Sequence, residues 1–249
     1  MDTSTGIIAV IPARGGSKGL PGKNIRPFCG LPLIAHSILL AKSCSEVVRT
    51  VVSTDAPEIA AVAKEYGAEV PFLRPPELSK DTTPLWPVLQ HALKEVEKNG
   101  ESYKWLLLLD PTTPCRQPLY VYECFQRMMI NPDADGIVGV SKPDFNPIWH
   151  SVVEKDGYME DLFPEGSAIA RRQDAPVIYR INGSIYLWRA EFVREKRDDW
   201  RKNSHTMVYE TPDFASISID TLEEFNRAEL WVKNGLFELP WLTGKEAWN

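Results

Sequence analysis

Residues 11–24 read Ile-Pro-Ala-Arg-Gly-Gly-Ser-Lys-Gly-Leu-Pro-Gly-Lys-Asn, and this stretch holds the chain's densest concentration of reactive side chains. Four glycines, Gly15, Gly16, Gly19 and Gly22, stand among three cations, Arg14, Lys18 and Lys23. Glycine tolerates positive φ and close backbone approach, so several N–H groups can converge on phosphate oxygens. Cations around the same point neutralise a triphosphate and, in the transition state, its leaving pyrophosphate. The competing reading is a solvated glycine turn with incidental charges. Three cations within ten residues, directly after the first apolar run, favour an exposed phosphate loop. A Walker A loop is excluded, because Asn24 follows Gly22-Lys23 and Ser17 stands where the motif's first glycine belongs. The dinucleotide pattern GxGxxG is absent. Residues 15–19 do match the GxSxG nucleophile elbow, which leaves a serine hydrolase built on Ser17 as a distant alternative. That elbow, however, belongs after a later strand of its sheet than the first.

Two aspartates end expected strands: Asp110 the all-apolar 105–109, and Asp220 the stretch 216–219. Ligands of open α/β sheets sit outside the carboxyl ends of strands, where both carboxylates would meet a nucleotide. Magnesium is held by one or two carboxylates completed by phosphate oxygens and water, which suits this pair. Alternatively, Asp110 opens an Asp-Pro turn and Asp220 caps a helix starting near Thr221. Farther along, Arg171, Arg172 and Arg180 surround Gln173 and Asn182. Arginine forks match carboxylates bidentately, so the cluster suits an acidic ligand. A salt-bridged solvated loop is the plainer reading of the same residues. Tyr186 and Trp188 read as core residues, and Asn146, Pro147 and Trp149 as possible pocket lining.

The elements that must carry these residues alternate. Strands are expected over 6–11, 47–53, 69–73, 105–109 and 136–140, with helices over 33–42, 57–66, 84–98 and 119–130. Such alternation predicts an α/β fold, an open, mostly parallel sheet with helices on both faces. The rhythm breaks after Ser141, so one domain over 1–249 with an insertion at about 142–182 is expected. Strands over 185–188 and 216–219 and a helix over 222–233 would close it. The tail from Gly235 carries Trp241 and Trp248, which suggest partial docking. With 249 residues, 43% of them hydrophobic and 25% charged, the composition is that of a globular domain. A net charge of −6 argues against a nucleic-acid or anionic-membrane binder, while leaving room for a local basic loop. Four cysteines without CxxC spacing and four scattered histidines point to neither a disulfide framework nor a zinc site. No apolar run is long enough for a membrane span, and the start lacks the basic and apolar regions of a secretory signal, so a cytoplasmic protein is expected.

The loop at 11–24 resembles the signature loop of the acylneuraminate cytidylyltransferase family, which makes CMP-sialic acids. Further segments resemble that family in the same order. They are Val52-Ser-Thr-Asp55, Arg74-Pro-Pro-Glu-Leu78 with Asp81-Thr-Thr83, Asp110-Pro-Thr-Thr-Pro114 with Arg116, Arg171-Arg-Gln-Asp174, Asn182-Gly-Ser-Ile-Tyr186 and Ser218-Ile-Asp220-Thr221. The family usually has Gln at the position of Asp110 and a further Asp at that of Ser218, so one carboxylate is lost and one gained. The resulting pair resembles that of ketodeoxyoctonate cytidylyltransferases and sugar-1-phosphate nucleotidyltransferases.

The resemblance implies a nucleotide-diphospho-sugar transferase-like Rossmann variant, dimeric through the 142–182 insertion. It implies Mg²⁺-dependent transfer from CTP to an acidic sugar of the sialic, legionaminic or pseudaminic type. Arg14, Lys18, Lys23 and Asp220 would then be catalytic, and Asp110 and Asp220 the metal ligands. Ala13, Gly15, Gly16, Ser17, Asn24, Arg74, Thr83 and Asp110 would bind nucleotide; Arg171, Arg172, Gln173, Arg180 and Asn182 would bind the sugar. A sugar-1-phosphate nucleotidyltransferase is the alternative within this chemistry, and a noncatalytic nucleotide-binding subunit the alternative outside it.

Overall fold

Apolar runs build the sheet, rich in Val and Ile over Ile7–Pro12, Val47–Ser53 and Gly136–Ser141 and in Leu over Trp105–Leu108. In the computed structural model, which describes residues 6–195 and 200–243, the strands in chain order are β1 (Ile7–Pro12), β2 (Pro27–Phe28), β3 (Leu31–Pro32), β4 (Val47–Ser53), β5 (Trp105–Leu108), β6 (Gly136–Ser141), β7 (Val152–Lys155), β8 (Tyr158–Asp161), β9 (Arg180–Arg189) and β10 (Thr206–Glu210). The helices are α1 (Leu33–Lys42), α2 (Pro57–Glu65), α3 (Leu85–Glu97), α4 (Pro118–Met129), α5 (Pro147–His150), α6 (Ala190–Arg194), α7 (Leu222–Lys233) and α8 (Pro240–Thr243). Six strands form the main sheet in the order β10-β6-β9-β5-β1-β4. β1 pairs in parallel with β4 and β5, and β10 with β6. β9 runs antiparallel to both β5 and β6, so the sheet is mostly rather than wholly parallel. Every residue of β5 and β6 is buried, as central strands covered on both faces require.

One face of the sheet packs against α1, α2 and α4 through Ile34, Ile38, Ile59, Val121 and Cys124. The other packs against α3 and α6 through Leu89, Leu93, Phe192 and Val193. A third apolar cluster lies apart from both and joins distant segments: Leu20 and Phe28 near the glycine loop, Ile217 and Ile219 near Asp220, and Phe225 on α7. This cluster holds the loop and Asp220 side by side.

Three expectations for the elements need correction. The strand over 69–73 reduces to a single bridge, Val51 to Glu69, because Pro71 has no N–H to continue a ladder. The stretch 216–219 is not a strand. Ile217 and Ile219 are buried on the third cluster while Ser218 and Asp220 face outward, so period-2 packing occurs here without a neighbouring strand. The strand Thr206–Glu210 goes unmarked in the sequence, since Thr-Met-Val-Tyr-Glu neither alternates cleanly nor runs apolar throughout. In the 142–182 stretch, α5 and the hairpin β7–β8 lie outside the main sheet, and all eight hairpin residues are exposed. Trp241 packs against His36, while Trp248 falls outside the described residues.

Candidate active site

A cavity opens over the carboxyl ends of β1 and β5, where ligands of such sheets bind. Arg14, Ser17, Lys23, Asn24, Arg74 and Thr83 reach it, and so do Asp110 and Asp220, brought together from four separate segments. The cations do different work from one another. Lys23 enters through a 3-10 turn at Lys23–Ile25, preceded by Gly22 at φ 66°, a conformation that costs glycine least. Only 9% of its side chain is exposed, and Nζ donates to Ile219 O at 2.7 Å and Asp220 Oδ1 at 2.8 Å. The expectation of an exposed loop therefore fails for Lys23 and Asn24, both buried. Asn24 Nδ2 donates to Arg14 O at 3.0 Å, fixing the loop's own shape. Arg14 and Lys18 both pair with Asp81, a residue the sequence reading quoted without giving it a role. Gly15 N donates to Asp55 Oδ1 at 2.9 Å, Gly16 has open space around it, and Ala13 is buried beneath the loop, bonded to Ser53 O.

Gly19 is required by close approach rather than by φ. A Cβ there would lie 2.4 Å from the Asp220 carbonyl oxygen, a backbone atom with nowhere to go. The loop and the Asp220 segment are thus in contact through main chain as well as through Lys23.

Arg74 is 5% exposed in its side chain, and its Nε and one Nη have no hydrogen-bond partner. Burial pushes its pKa down from the ordinary value, with Asp55 opposing the shift from 3.9 Å. A buried guanidinium with unmet donors on a cavity wall is suited to an incoming carbonyl or phosphate oxygen. Thr83 reaches the same cavity while its hydroxyl donates to Glu77 O at 3.2 Å.

Asp110 begins a turn and lines the cavity at once, so its two sequence readings are compatible. Its Oδ1 accepts from Thr112 N at 3.0 Å and Thr112 Oγ1 at 2.9 Å. Asp220 is not the cap of α7. Thr221 is, with Glu224 completing a capping box. Asp220 Oδ1 meets Lys23, and Oδ2 has only a 3.4 Å contact from Ser218 Oγ. Arg116 lies behind this wall, fully buried, its pKa lowered to about 10 by desolvation against the pull of Asp110. It donates to Ser184 O at 3.1 Å and to Ser37 Oγ, so it braces α1 against β9 and does not line the cavity.

The five residues expected at the sugar end are divided between two clefts and the surface. Arg180 and Asn182 line a cleft with Ser218, Arg227 and Trp231, next to Asp220. Arg172 lines another with Phe145, Asn146 and Trp149, and Lys142 and Asp144 form a wall common to both. Arg171 forms a bidentate pair with Asp174, at 2.7 and 2.9 Å, on the exposed surface beside Gln173. Asn182 is buried with its amide engaged by Thr211 Oγ1 at 2.7 Å and Ser184 Oγ at 2.7 Å, so it shapes β9 from within. Thr112, Asp55 and Asp81, quoted above only within longer segments, and Arg227 and Trp231, not singled out at all, are neighbours whose places the sequence did not indicate. The Asp-Pro-Thr turn is the one local signal that could have found Thr112. Ser17 has no histidine beside it in the cavity, which removes the elbow its chemistry needs.

A glycine loop after the first strand, cations behind it and two aspartates over the strand ends define the class: an enzyme of nucleotidyl transfer. Residues 8–103 match the family model for cytidylyltransferases. The chain is 35% identical over 217 residues to the CMP-N,N'-diacetyllegionaminic acid synthase of Legionella pneumophila, covering 86% of this chain and 91% of that protein. It is 28% identical to the pseudaminic acid cytidylyltransferase of Campylobacter jejuni, covering 91% and 96%. The CMP:2-keto-3-deoxy-manno-octonic acid synthetase complexed with CTP shares the fold, with a TM-score of 0.69 at 18% identity over 92% of this chain and 99% of that one. The chain belongs to the acylneuraminate cytidylyltransferase family.

Proposed function

We propose that the chain condenses CTP with a nine-carbon 2-keto sugar acid of the sialic, legionaminic or pseudaminic type, giving a CMP-sugar and pyrophosphate. The observation that carries this is the meeting of Asp110 and Asp220 with Arg14, Lys23 and Arg74 in one cavity, beside a cleft holding Arg180. The sugar type follows the relatives' substrates. Arg14 and Lys18 would hold the triphosphate once Asp81 gives way, and Lys23 would keep Asp220 in place. Ala13, Gly15, Gly16 and Ser17 would line the phosphate path, while Asn24, Arg74 and Thr83 would contact base and ribose. Arg180 would face the sugar from β9, which Asn182 holds from within, and Arg171, Arg172 and Gln173 would join it by movement of their loop.

The oxygen of the anomeric hydroxyl attacks the α-phosphorus in line. A new P–O bond forms, the bond to the β-phosphate oxygen breaks, pyrophosphate leaves with the electron pair, and the hydroxyl's proton passes to solvent water. Positioning and charge stabilisation supply most of the acceleration. Among the described residues no three His, Cys, Asp or Glu side chains gather into a complete metal cage. Two carboxylates each with one oxygen left over suit Mg²⁺, which takes few protein ligands and fills its shell with phosphate oxygens and water. Asp110 and Asp220 would hold it, and it would supply charge at the α-phosphate and acidity to the attacking hydroxyl. The protein would act as a homodimer in the cytoplasm, without nucleic-acid or membrane partners. Its acidic balance and the exposed apolar residues of the β7–β8 hairpin support that reading, and among the described residues no helix is long and apolar enough to cross a membrane.

Pyrophosphate release from CTP, measured with a panel of 2-keto sugar acids, tests this. Asp110→Asn and Asp220→Asn should each nearly abolish release, with partial recovery at high Mg²⁺, and the double variant should fall far short of additive. Ser218→Ala should be mild. A silent Asp110→Asn beside a crippled Ser218→Ala would overturn the assignment.

A further inference from the structure

We infer that Thr112 is a positioning residue that orients the carboxylate of Asp110 and ties it to the Asp220 segment, an inference that rests on the metal role proposed for that pair. Thr112 donates to Asp110 Oδ1 twice, from N at 3.0 Å and from Oγ1 at 2.9 Å. A turn needs only the first of these. The second, from a different direction onto the same oxygen, resists rotation of the carboxylate about its Cβ–Cγ bond. Thr112 also reaches the other side of the site. Its carbonyl accepts from Ile219 N at 2.8 Å, immediately before Asp220. Its hydroxyl lies 3.5 Å from Ser218 Oγ, itself 3.4 Å from Asp220 Oδ2.

Lys23 acts on Asp220 as Thr112 acts on Asp110, by engaging Oδ1 at 2.8 Å. Among the described residues no hydrogen bond is recorded to Asp110 Oδ2. Each aspartate therefore has one oxygen fixed and the other left for a cation, at the edge of a cavity that Thr112 itself lines. A carboxylate whose rotation is already restricted loses less freedom on binding a cation than one that must be ordered first. Lys23 and Thr112 approach from opposite segments, so the pair is held without any direct contact between the two aspartates being needed.

The test is Mn²⁺ binding followed by electron paramagnetic resonance in the presence of an unreactive methylene analogue of CTP. Thr112→Val keeps the branched shape and removes the hydroxyl; Thr112→Ser keeps the hydroxyl; Thr112→Ala replaces the valine variant should that one fold poorly. Thr112→Val should weaken Mn²⁺ binding about tenfold, as loss of a hydrogen bond to a charged group implies. Analogue affinity without divalent metal should stay unchanged, and Thr112→Ser should bind Mn²⁺ as the native chain does. Asp110→Asn should bind Mn²⁺ more weakly still, leaving most of the free-ion signal undiminished, and adding Thr112→Val to it should change nothing more. Normal binding by Thr112→Val alongside loss in Asp110→Asn would overturn the Thr112 role and leave the metal pair standing. Equal loss in the valine and serine variants would also overturn it, since shape rather than the hydroxyl would then matter. Normal binding by Asp110→Asn would overturn both.

Discussion

Arg14 and Lys23 lie in one glycine loop, and their surroundings assign them different work. Arg14 is a third exposed and faces Asp81, so its removal touches ligand binding and little else. Arg14→Ala is expected to lower kcat/KM roughly 10²-fold, the cost of one charge-assisted transition-state contact, with the melting temperature unchanged by calorimetry. Lys23 is buried and bonded to Ile219 O and Asp220. Lys23→Met should cause a comparable kinetic loss and also remove about 1–2 kcal/mol of stability, seen as a melting point lower by about 4 °C. Asp81 pairs with Arg14 and Lys18; if the triphosphate takes those cations from it, Asp81→Asn should lower the KM for CTP, whereas a raised KM would mean that Asp81 serves the bound nucleotide instead. The loop's cations were legible in the sequence because they stand together. Lys23's burial was not, because its partner Asp220 lies 197 positions away. The burial of Asn182 was hidden for a similar reason, as its amide faces Thr211 inside the fold.

At the scale of elements, the third apolar cluster decides how the loop meets the Asp220 segment. Gly19→Ala would press a methyl against the Asp220 carbonyl at 2.4 Å. That variant should lose most of its activity with the six-stranded sheet intact, which circular dichroism beside an activity assay would show. The end of the described chain docks through a second contact, Trp241 Nε1 donating to His36 Nδ1 at 3.0 Å while His36 Nε2 meets Phe28 O at 2.9 Å. Burial holds the His36 pKa at about 4, below its ordinary 6.5. Above pH 6.5 folded and unfolded forms are both neutral. As pH falls toward 4 the unfolded chain takes up a proton that the folded pocket refuses, so stability drops by about 3 kcal/mol over that window. Urea unfolding followed between pH 7 and 4 should show this loss, and His36→Gln should flatten it. Long periodic helices and all-apolar strands were readable because one element's own pattern suffices. The stretch 216–219 alternates like a strand yet pairs with none, since its alternation comes from packing on α7 and the loop. β9 could be foreseen as a strand but not as antiparallel, because direction depends on the length and route of the 142–182 stretch rather than on local pattern.

For the whole molecule, the hairpin β7–β8 presents Tyr158 and Met159, on its opposite faces, at 77% and 75% exposure, apolar surface difficult to explain in an isolated subunit. Light scattering at micromolar concentration should give twice the chain mass of 28.1 kDa, and Tyr158→Asp with Met159→Lys should shift it toward one; a monomer in the native chain would contradict the assembly. The net charge of −6 makes the basic loop a local exception that draws in an anionic nucleotide. Which atom attacks the α-phosphorus is read most directly from the phosphorus content of the product. With CTP, Mg²⁺ and a 2-keto sugar acid, mass spectrometry should find a sugar nucleotide with one phosphorus atom, formed in step with pyrophosphate. Turnover only with sugar 1-phosphates, giving a product with two phosphorus atoms, would contradict it.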